Sequence, residues 1–377
     1  MLTRLRHLRR DERGMAFVYV GLGFMGFLAA TTLAIDVGMF MTARSQAQNA
    51  ADAGAHSGAV ALAMNDFNDR SATGPAVTSA ISTALANKVM GANVSVLTSD
   101  VTFPNSPSGQ ANRVHVEVFR TTARGNPVPT LIGSLFGVTT VDIVATATAE
   151  ASPANAMTCV KPFMIPDKFI DGNGNGSFEL NVDTYIDGTD PVNYTGYTAK
   201  NDVGTPLMLR AGNQNSIQPS FYYSWKMPGD IGGNFYRDNI AMCNQSVLTY
   251  DPNNPLFMTQ EPGSKEGPTL QGIQDLIDQD PNTQWSSACK CVINSRFSGQ
   301  SPRVFPIPLF NPVYYAEGKA NGRPASFELA NFLGFYADYV ENNGTIHGII
   351  TNITGIIDDN GSPVTSTMFP RAIRLVQ

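Results

Sequence analysis

A run of oxygen-bearing residues separated by glycines offers the clearest chemistry in the chain. Asp171, Asn173 and Asn175 alternate with glycines and Gly176 follows, so the run reads D-x-N-x-N-G, the first half of a calcium-binding loop. In such a loop alternate oxygens converge on the ion, and the glycine at the sixth position allows a sharp turn. This spacing predicts a Ca²⁺ site that takes side-chain oxygens from the first three residues.

The rest of the predicted ligand set is less regular. Ser177 would supply its main-chain carbonyl, and Glu179 and Asp183 are the available closing carboxylates. A calcium loop has glutamate at its twelfth position, but Val182 stands there, so we expect incomplete coordination and weak affinity. The competing interpretation is a turn whose glycines and asparagines merely tolerate positive φ. The sequence leaves both open.

The four cysteines, Cys159, Cys243, Cys289 and Cys291, form a second feature. Their number is even, and all four follow an apolar N-terminal segment that we predict to separate them from the cytoplasm. Thiols outside the cytoplasm oxidise, so we predict disulfides. A bond between Cys289 and Cys291 would close a very tight ring. We therefore expect each of these two to pair with Cys159 or Cys243, in an order that the sequence leaves open.

Catalytic signatures are missing from the sequence. It has no G-x-S-x-G, H-E-x-x-H or Walker A run, and its four histidines are scattered. Cys289-Lys290-Cys291 has no second pair at metal-ligand spacing, and Ser301-Pro302-Arg303 is interpreted as structural. We predict a protein that is not an enzyme, with no catalytic residue and no small-molecule substrate. With 25 basic and 31 acidic residues, it also lacks the basic surface that nucleic acids require.

An apolar segment near the N-terminus must position everything that follows. Residues 1–14 hold five arginines and two acids, whereas residues 15–35 carry no charge. As a helix the uncharged stretch is roughly 30 Å long, the thickness of a hydrocarbon core. Because the arginines precede the span, we predict a single pass through the lipid bilayer with residues 1–14 in the cytoplasm.

Two other interpretations of this segment are available. A cleaved secretory signal has the same charge order, and Thr32-Leu33-Ala34 is similar to its small-residue cleavage site. A twin-arginine signal fits less well, since Arg9-Arg10 is followed by Asp-Glu. Residues 37–63 are rich in alanine and glutamine and lack proline, which favours a retained helix continuing over residues 15–66.

Beyond the helix the pattern changes twice. Residues 67–155 read as a small α+β head, and residues 156–377 as a β-rich extracytoplasmic domain dominated by proline, glycine, asparagine and aromatic residues. The fold class is therefore α+β with a long N-terminal transmembrane helix. In the head, helices are predicted at 77–90 and 129–136 and strands at 94–103, 114–120 and 138–150.

Four runs between residues 9 and 63 carry a family resemblance. They are Asp11-Glu12-Arg13-Gly14, the apolar span, Ala34-Ile35-Asp36-Val37-Gly38 and Gln48-Asn49-Ala50-Ala51-Asp52-Ala53. Together they resemble the N-terminal segment of the TadE/TadG-like Flp pilus-assembly family. Three later runs, 159–163, 261–269 and 301–304, look like members with long extracytoplasmic tails.

The resemblance implies a pilin-like protein of the bacterial inner membrane that works with other pilus-assembly or pilin-like proteins. It would be a structural or assembly component of a tight-adherence (Flp-type) pilus system, with most of the chain extracytoplasmic. The alternative is an exported, calcium-stabilised binding or adhesion module on the same anchor. Pilins also suggest processing between Gly14 and Met15, but Tyr19 stands where they carry glutamate. Asp36 is interpreted as a charge at the bilayer interface, with partner contact as the alternative.

Overall fold

The chain divides into two compact units. The computed structural model describes residues 13–65, 69–107, 109–212, 216–297, 300–322, 325–359, 362 and 364–376. The first unit consists of the described parts of Met1–Leu62, Asn68–Glu150 and Arg374–Gln377, and the second of those of Ala63–Phe67 and Ala151–Ile373. Most of the basic segment predicted to be cytoplasmic, residues 1–12, lies outside the described residues.

The first unit is built on helix α1 (Arg13–Met64). No proline interrupts it, and alanine, the strongest helix former, is frequent in its second half. Residues 14–31 are all exposed, whereas after Asp36 buried positions recur every three or four residues. This buried face consists of small residues, namely Ala43, Ala47, Ala50, Ala51, Gly54, Ala55, Gly58 and Ala59.

Helix α2 (Pro75–Ala86) and three small sheets, two of them two-stranded, complete the described part of the first unit. Its strands are β1 (Lys88–Val89), β2 (Ala92–Asn93), β3 (Val101–Thr102), β4 (Arg113–Arg120), β5 (Val128–Pro129), β6 (Thr140–Val141) and β7 (Ile143–Pro153). β4 pairs with β7 over its whole length and with β3 on its other side. Buried residues alternate along β4, so one face of the strand meets the core.

The second unit holds the remaining elements. Its strands are β8 (Ala156–Met157), β9 (Phe163–Pro166), β10 (Pro206–Ala211), β11 (Phe221–Ser224), β12 (Leu248–Thr249), β13 (Phe257–Thr259), β14 (Gln284–Ser286), β15 (Cys291–Ile293), β16 (Val304–Phe310), β17 (Ser326–Val340), β18 (Ile346–Ile350) and β19 (Arg371–Val376). Its helices are α3 (Ala199–Asp202), α4 (Gly233–Ala241), α5 (Glu266–Gln279) and α6 (Pro312–Ala320). From Arg374 onward β19 belongs to the first unit, whose sheet has the order β3-β4-β7-β19.

Six strands of the second unit close into a β-barrel. The order round the barrel is β9-β11-β10-β18-β17-β16, and β16 pairs with β9 to complete the ring. β9–β16 and β10–β11 are parallel and the other pairs antiparallel, while β13 pairs with the first residues of β17. β16 and β17 are buried along nearly continuous stretches, which indicates cover on both faces. The largest fully buried rings are Trp225, Tyr223, Tyr236, Tyr336, Phe163, Phe305, Phe310, Phe327, Phe332, Phe335 and Phe369.

The α+β class, the long helix and the β-rich region after it are confirmed, but local predictions in the head differ. The predicted strand over 94–103 is mostly irregular, since the Asp100 carboxylate accepts the Leu97 N–H at 2.8 Å and closes a 3₁₀ turn at Thr98–Asp100. The predicted helix over 129–136 is reduced to a 3₁₀ turn at Gly133–Phe136 after β5.

All four cysteines form disulfides, but the predicted pairing is wrong. Cys159 bonds to Cys243, and Cys289 bonds to Cys291 across the single residue between them. The tight ring is possible because Lys290 adopts a left-handed conformation with φ 49°, which brings the two Cα atoms to 5.2 Å.

Candidate functional site

The first half of α1 exposes an apolar surface. Its most apolar 18-residue window has a mean hydropathy of 1.8, and none of that window is buried. Among the described residues this is the one helix long and apolar enough to cross a membrane, by length and composition. Phe17, Val20, Met25 and Phe27 are each at least two-thirds exposed. Water would solvate such a surface poorly, so a lipid environment or a partner helix suits it.

Asp36 ends this apolar surface. Its side chain is 6% exposed, and its carboxylate accepts backbone N–H groups from Leu131 at 3.0 Å, Ile132 at 3.2 Å and Gly133 at 2.6 Å. Desolvation opposes the negative charge, but these three donors together hold the pKa of Asp36 below its ordinary value. Asp36 therefore fixes the 131–133 segment to the helix, a contact that the interface and partner interpretations did not foresee.

Two glutamines join the next turns of α1 to the head. Gln46 Oε1 accepts the Met90 N–H at 2.7 Å, and Gln48 Nε2 donates to the Thr146 carbonyl at 2.9 Å. Gln48 also donates to Asp52 Oδ1 on the next turn at 2.9 Å, which holds the amide in place. The polar residues of this stretch thus satisfy backbone groups of β7 and of the turn after β1.

Gly54 and Gly58 bring α2 close to α1. A Cβ at Gly58 would lie 2.8 Å from Val114 Cγ1 and 3.0 Å from Ala80 Cβ, and a Cβ at Gly54 would lie 3.0 Å from Ala84 Cβ. Real Cβ atoms essentially never approach as closely as 2.8 Å, so a side chain at Gly58 would force its neighbours to shift, and one at Gly54 would be tightly packed. Between the two helices, the Ser57 hydroxyl bonds to those of Ser79 at 2.7 Å and Thr83 at 2.9 Å.

The span, Asp36, the glutamines and the glycine contact all lie within one stretch of the sequence, and a family model matches that stretch. Residues 14–61 match the TadE/G-like Flp pilus-assembly (Tad) family model. The resemblance that the sequence predicted is confirmed for this segment, and it supports a role related to Flp pilus assembly. No curated protein and no solved structure matches the chain.

The segment matched by the family model, residues 14–61, therefore has two parts with different surroundings. Up to residue 35 its side chains face outward, and from Asp36 to residue 61 it supplies the contacts that hold the head. The same family match thus covers a candidate membrane anchor and the platform on which the head folds, with the membrane and pilus proteins as the indicated partners.

The predicted calcium loop is closed by its own hydrogen bonds. The Asp171 carboxylate accepts the N–H groups of Gly174 and Gly176, both at 2.6 Å, and the Asp183 carboxylate accepts those of Gly172 at 2.8 Å and Glu179 at 2.6 Å. The backbone donors around Asp171, Gly176 first, hold the pKa of its carboxyl below the ordinary value against desolvation.

The other predicted ligands follow the same pattern. Asn173 Oδ1 accepts the Asn175 N–H at 3.1 Å, and Asn175 Oδ1 accepts the Ser177 N–H at 2.7 Å. Glu179 accepts the amide of Asn173 at 2.9 Å. No group of three or more His, Cys, Asp or Glu side chains in the described part of the chain is arranged to hold a metal ion. Calcium binding stays a prediction.

Sequence reasoning missed a cavity in the second unit. It has a volume of 620 Å³ and contains Lys161, which is 3% exposed. The Lys161 ammonium donates to the carbonyls of Ile240 at 2.5 Å and Met242 at 3.1 Å, where α4 ends, and lies 5.2 Å from the Phe305 ring. Burial lowers the pKa of Lys161 to about 7. The available signal was a lone lysine among apolar residues directly after Cys159-Val160.

Proposed function

We propose that this chain is a pilin-like, single-pass protein of the bacterial inner membrane that acts as a structural or assembly component of a Flp-type pilus system. The observation that carries the proposal is the change of environment along one continuous helix. Its side chains are exposed and apolar up to residue 35, and its small-residue face binds the head from Asp36 onward. The family match at residues 14–61 supports the pilus context.

The proposed orientation places residues 1–14 in the cytoplasm and the chain beyond the span outside it. It rests on the five arginines before the span. A reporter enzyme fused after Gln377 tests it, because alkaline phosphatase folds to an active form only outside the cytoplasm. Activity of a cytoplasmic reporter alone at that position would contradict the proposal. Intact-mass analysis of the membrane-extracted protein then tells whether the chain begins at Met1 or is processed between Gly14 and Met15.

Two methionines on α1 provide a matched test of the anchor. Met25 is 69% exposed inside the span, and Met41 is 67% exposed beyond Asp36. Arginine near the middle of a span costs about 2.5–3.5 kcal/mol for insertion, whereas beyond the bilayer it costs little. We expect Met25→Arg to release the protein from alkali-washed membranes and Met41→Arg to leave it there. Equal behaviour of the two variants would refute the span.

The same pair tests the pilus role. In a host that assembles Flp pili, deletion of this chain should abolish pili. The Met41→Arg variant should restore them and the Met25→Arg variant should not. Normal pilus number in the deletion strain would overturn the assembly role while leaving the membrane anchor intact.

For the loop at residues 171–183 we propose weak Ca²⁺ binding as a second function. The alternating oxygens of Asp171, Asn173 and Asn175 favour it, since carboxylate and amide oxygens are the donors that Ca²⁺ takes. The Asp171 and Asp183 carboxylates already accept two backbone N–H groups each, so an ion must share these oxygens. We expect dissociation constants of about 10⁻⁴–10⁻³ M.

Thermal melting with and without millimolar CaCl₂ tests this second function. Calcium should raise the melting temperature of the wild type but not that of Asp171→Ala. Asp187→Ala is the control, because Asp187 accepts similar turn hydrogen bonds from Thr189 outside the loop. No calcium shift in the wild type, or a shift retained in Asp171→Ala, would exclude the loop as a calcium site.

A further inference from the structure

The Cys289–Cys291 disulfide lies at the tip of an exposed hairpin. Strands β14 and β15 pair at Gln284–Ile293, Trp285–Val292 and Ser286–Cys291, and the bond joins the last of these positions to the turn. Cys289 and Lys290 are exposed and Cys291 is half-buried. The three residues and Val292 help to line a groove of 300 Å³. A thiol of another protein can therefore reach the Cys289–Cys291 disulfide.

This bond does little to hold the fold. The Cys159–Cys243 bond joins residues 84 positions apart and so restricts the unfolded chain strongly, whereas Cys289 and Cys291 are only two positions apart. The hairpin is already closed by its strand pairing. The ring also requires a left-handed backbone at Lys290, φ 49°, which residues other than glycine avoid. Stability alone does not account for this disulfide.

We propose that Cys289–Cys291 is a thiol–disulfide exchange site that oxidises dithiols of partner proteins. A partner thiolate attacks Sγ of the more exposed Cys289. A partner–Cys289 disulfide forms, and the Cys289–Cys291 bond breaks with its electron pair passing to Cys291 as a thiolate. The second thiolate of the partner then attacks the partner sulfur that is bonded to Cys289. The partner disulfide forms, and Cys289 leaves as a thiolate.

The exchange needs no other oxidant or reductant, because the electrons and protons pass only between the partner dithiol and this disulfide. Two electrons pass from the partner dithiol, which becomes a disulfide, to the Cys289–Cys291 pair, which becomes a dithiol. The two thiol protons of the partner pass through solvent to the two new thiolates. A cation beside a thiol lowers its pKa and speeds exchange. We assign this role to Lys290, the exposed residue between the two cysteines.

The test uses the full chain in detergent micelles. The protein is equilibrated in buffers of increasing reduced glutathione, quenched with an alkylating reagent, digested and analysed by mass spectrometry. Trypsin cuts after Lys290, so opening of the Cys289–Cys291 bond releases two separate peptides. We expect this bond to open at a glutathione concentration at least tenfold lower than the Cys159–Cys243 bond. Simultaneous opening, or earlier opening of Cys159–Cys243, would overturn the proposal.

Transfer to a partner is measured with a reduced Cys-x-x-Cys peptide as the probe. The wild type should oxidise about one peptide per chain, and the Cys289→Ser/Cys291→Ser variant none. Lys290→Gln keeps both cysteines and should slow the transfer several-fold, while Lys290→Arg should restore the rate. Peptide oxidation by the double serine variant equal to that of the wild type, or unchanged rates in Lys290→Gln, would refute the site as described.

Discussion

At the scale of single residues, Asp36 shows how a charge can join two distant parts of a chain. Its carboxylate accepts N–H groups from a segment 95–97 positions later. Hydrogen bonds of backbone donors to a charged acceptor are among the stronger ones in proteins. The sequence placed Asp36 correctly at the end of the apolar span. It could not reveal the partners, because a backbone N–H group has no sequence signature.

We predict that Asp36→Ala loosens the segment that the carboxylate holds. Hydrogen exchange at the amides of Leu131, Ile132 and Gly133 should become roughly tenfold faster or more, since the charged acceptor is lost. The Glu117→Gln variant is the control, because Glu117 is half-exposed and contacts His115 at 3.4 Å. Unchanged exchange in Asp36→Ala would show that the carboxylate does not hold this turn.

The same contact has a defined pH dependence. The pKa of Asp36 is lowered in the folded state. The carboxylate therefore stabilises the fold fully above the ordinary value of 3.8, and this stabilisation is lost as the pH falls through the lower folded value. Protection of these three amides in the wild type should therefore decline only in strong acid.

Lys161 has the opposite kind of pH dependence. Its pKa is about 7 in the folded state against 10.5 ordinarily, so between these values the unfolded chain binds a proton that the folded chain has released. We predict that deprotonation of Lys161 increases the free energy of unfolding as the pH rises from about 7.5 to 9, by up to about 1.4 kcal/mol per pH unit. The gain should vanish in Lys161→Met.

Tryptophan fluorescence can follow this unfolding, because Trp225 and Trp285 are the only tryptophans and both lie in the second unit. Lys168→Met is the control, since Lys168 is half-exposed and paired with Asp202. Its stability should keep the pH dependence of the wild type. A Lys161→Met variant with the same slope as the wild type would contradict the assignment.

At the scale of elements, the contact between α1 and α2 depends on glycine. We predict that Gly58→Ala destabilises the first unit by about 1–3 kcal/mol, since the new methyl group would overlap Val114 and Ala80. Gly38 lies on the same helix, and a methyl group added there would meet nothing within 4 Å. Gly38→Ala should therefore be neutral or stabilising by up to about 1 kcal/mol.

Hydrogen exchange of the β4 amides measures both effects, because β4 packs against α1 through Val114. Faster exchange in Gly58→Ala and unchanged or slower exchange in Gly38→Ala is the expected result. Equal exchange rates in the two variants would contradict the prediction that a methyl group at position 58 destabilises the contact between α1 and α2.

Periodicity predicted the elements that are long and regular, and failed where a side chain redirects the backbone. Helix α1 and strand β4 follow directly from composition and alternation. The 94–103 segment has the alternation of a strand, but the Asp100 carboxylate closes a turn within it. Such a local hydrogen bond competes with strand pairing and leaves no trace in the hydrophobic pattern.

At the scale of the whole molecule, the two disulfides should differ in their contribution to stability. The chain-entropy relation gives about 4.5 kcal/mol for a loop closed across 84 positions and about 1–2 kcal/mol for one closed across two. We predict that Cys159→Ser/Cys243→Ser strongly lowers the free energy of unfolding, while Cys289→Ser/Cys291→Ser has a small effect. Denaturant titration followed by tryptophan fluorescence compares them, and equal losses would refute the difference.

The cysteine pairing was predicted wrongly because it depends on backbone conformation, which the sequence does not display. The closure of the barrel was hidden for a similar reason. Sequence separation indicates how costly a ring is, but a left-handed Lys290 makes the tight ring possible, and the residue type does not signal that conformation. Strands β16, β17 and β18 could be expected from their apolar runs. Their closure through β9, β10 and β11 depends on pairings between distant segments, which a single sequence does not contain.

Closure of the barrel has a consequence wherever many copies of the chain are crowded together. Open sheet edges present unpaired N–H and C=O groups and invite edge-to-edge aggregation. In the barrel each of the six strands has neighbours on both sides, and the strand added outside it, β13, is only three residues long. The barrel itself therefore leaves few open edges that could form intermolecular sheets when copies lie close together.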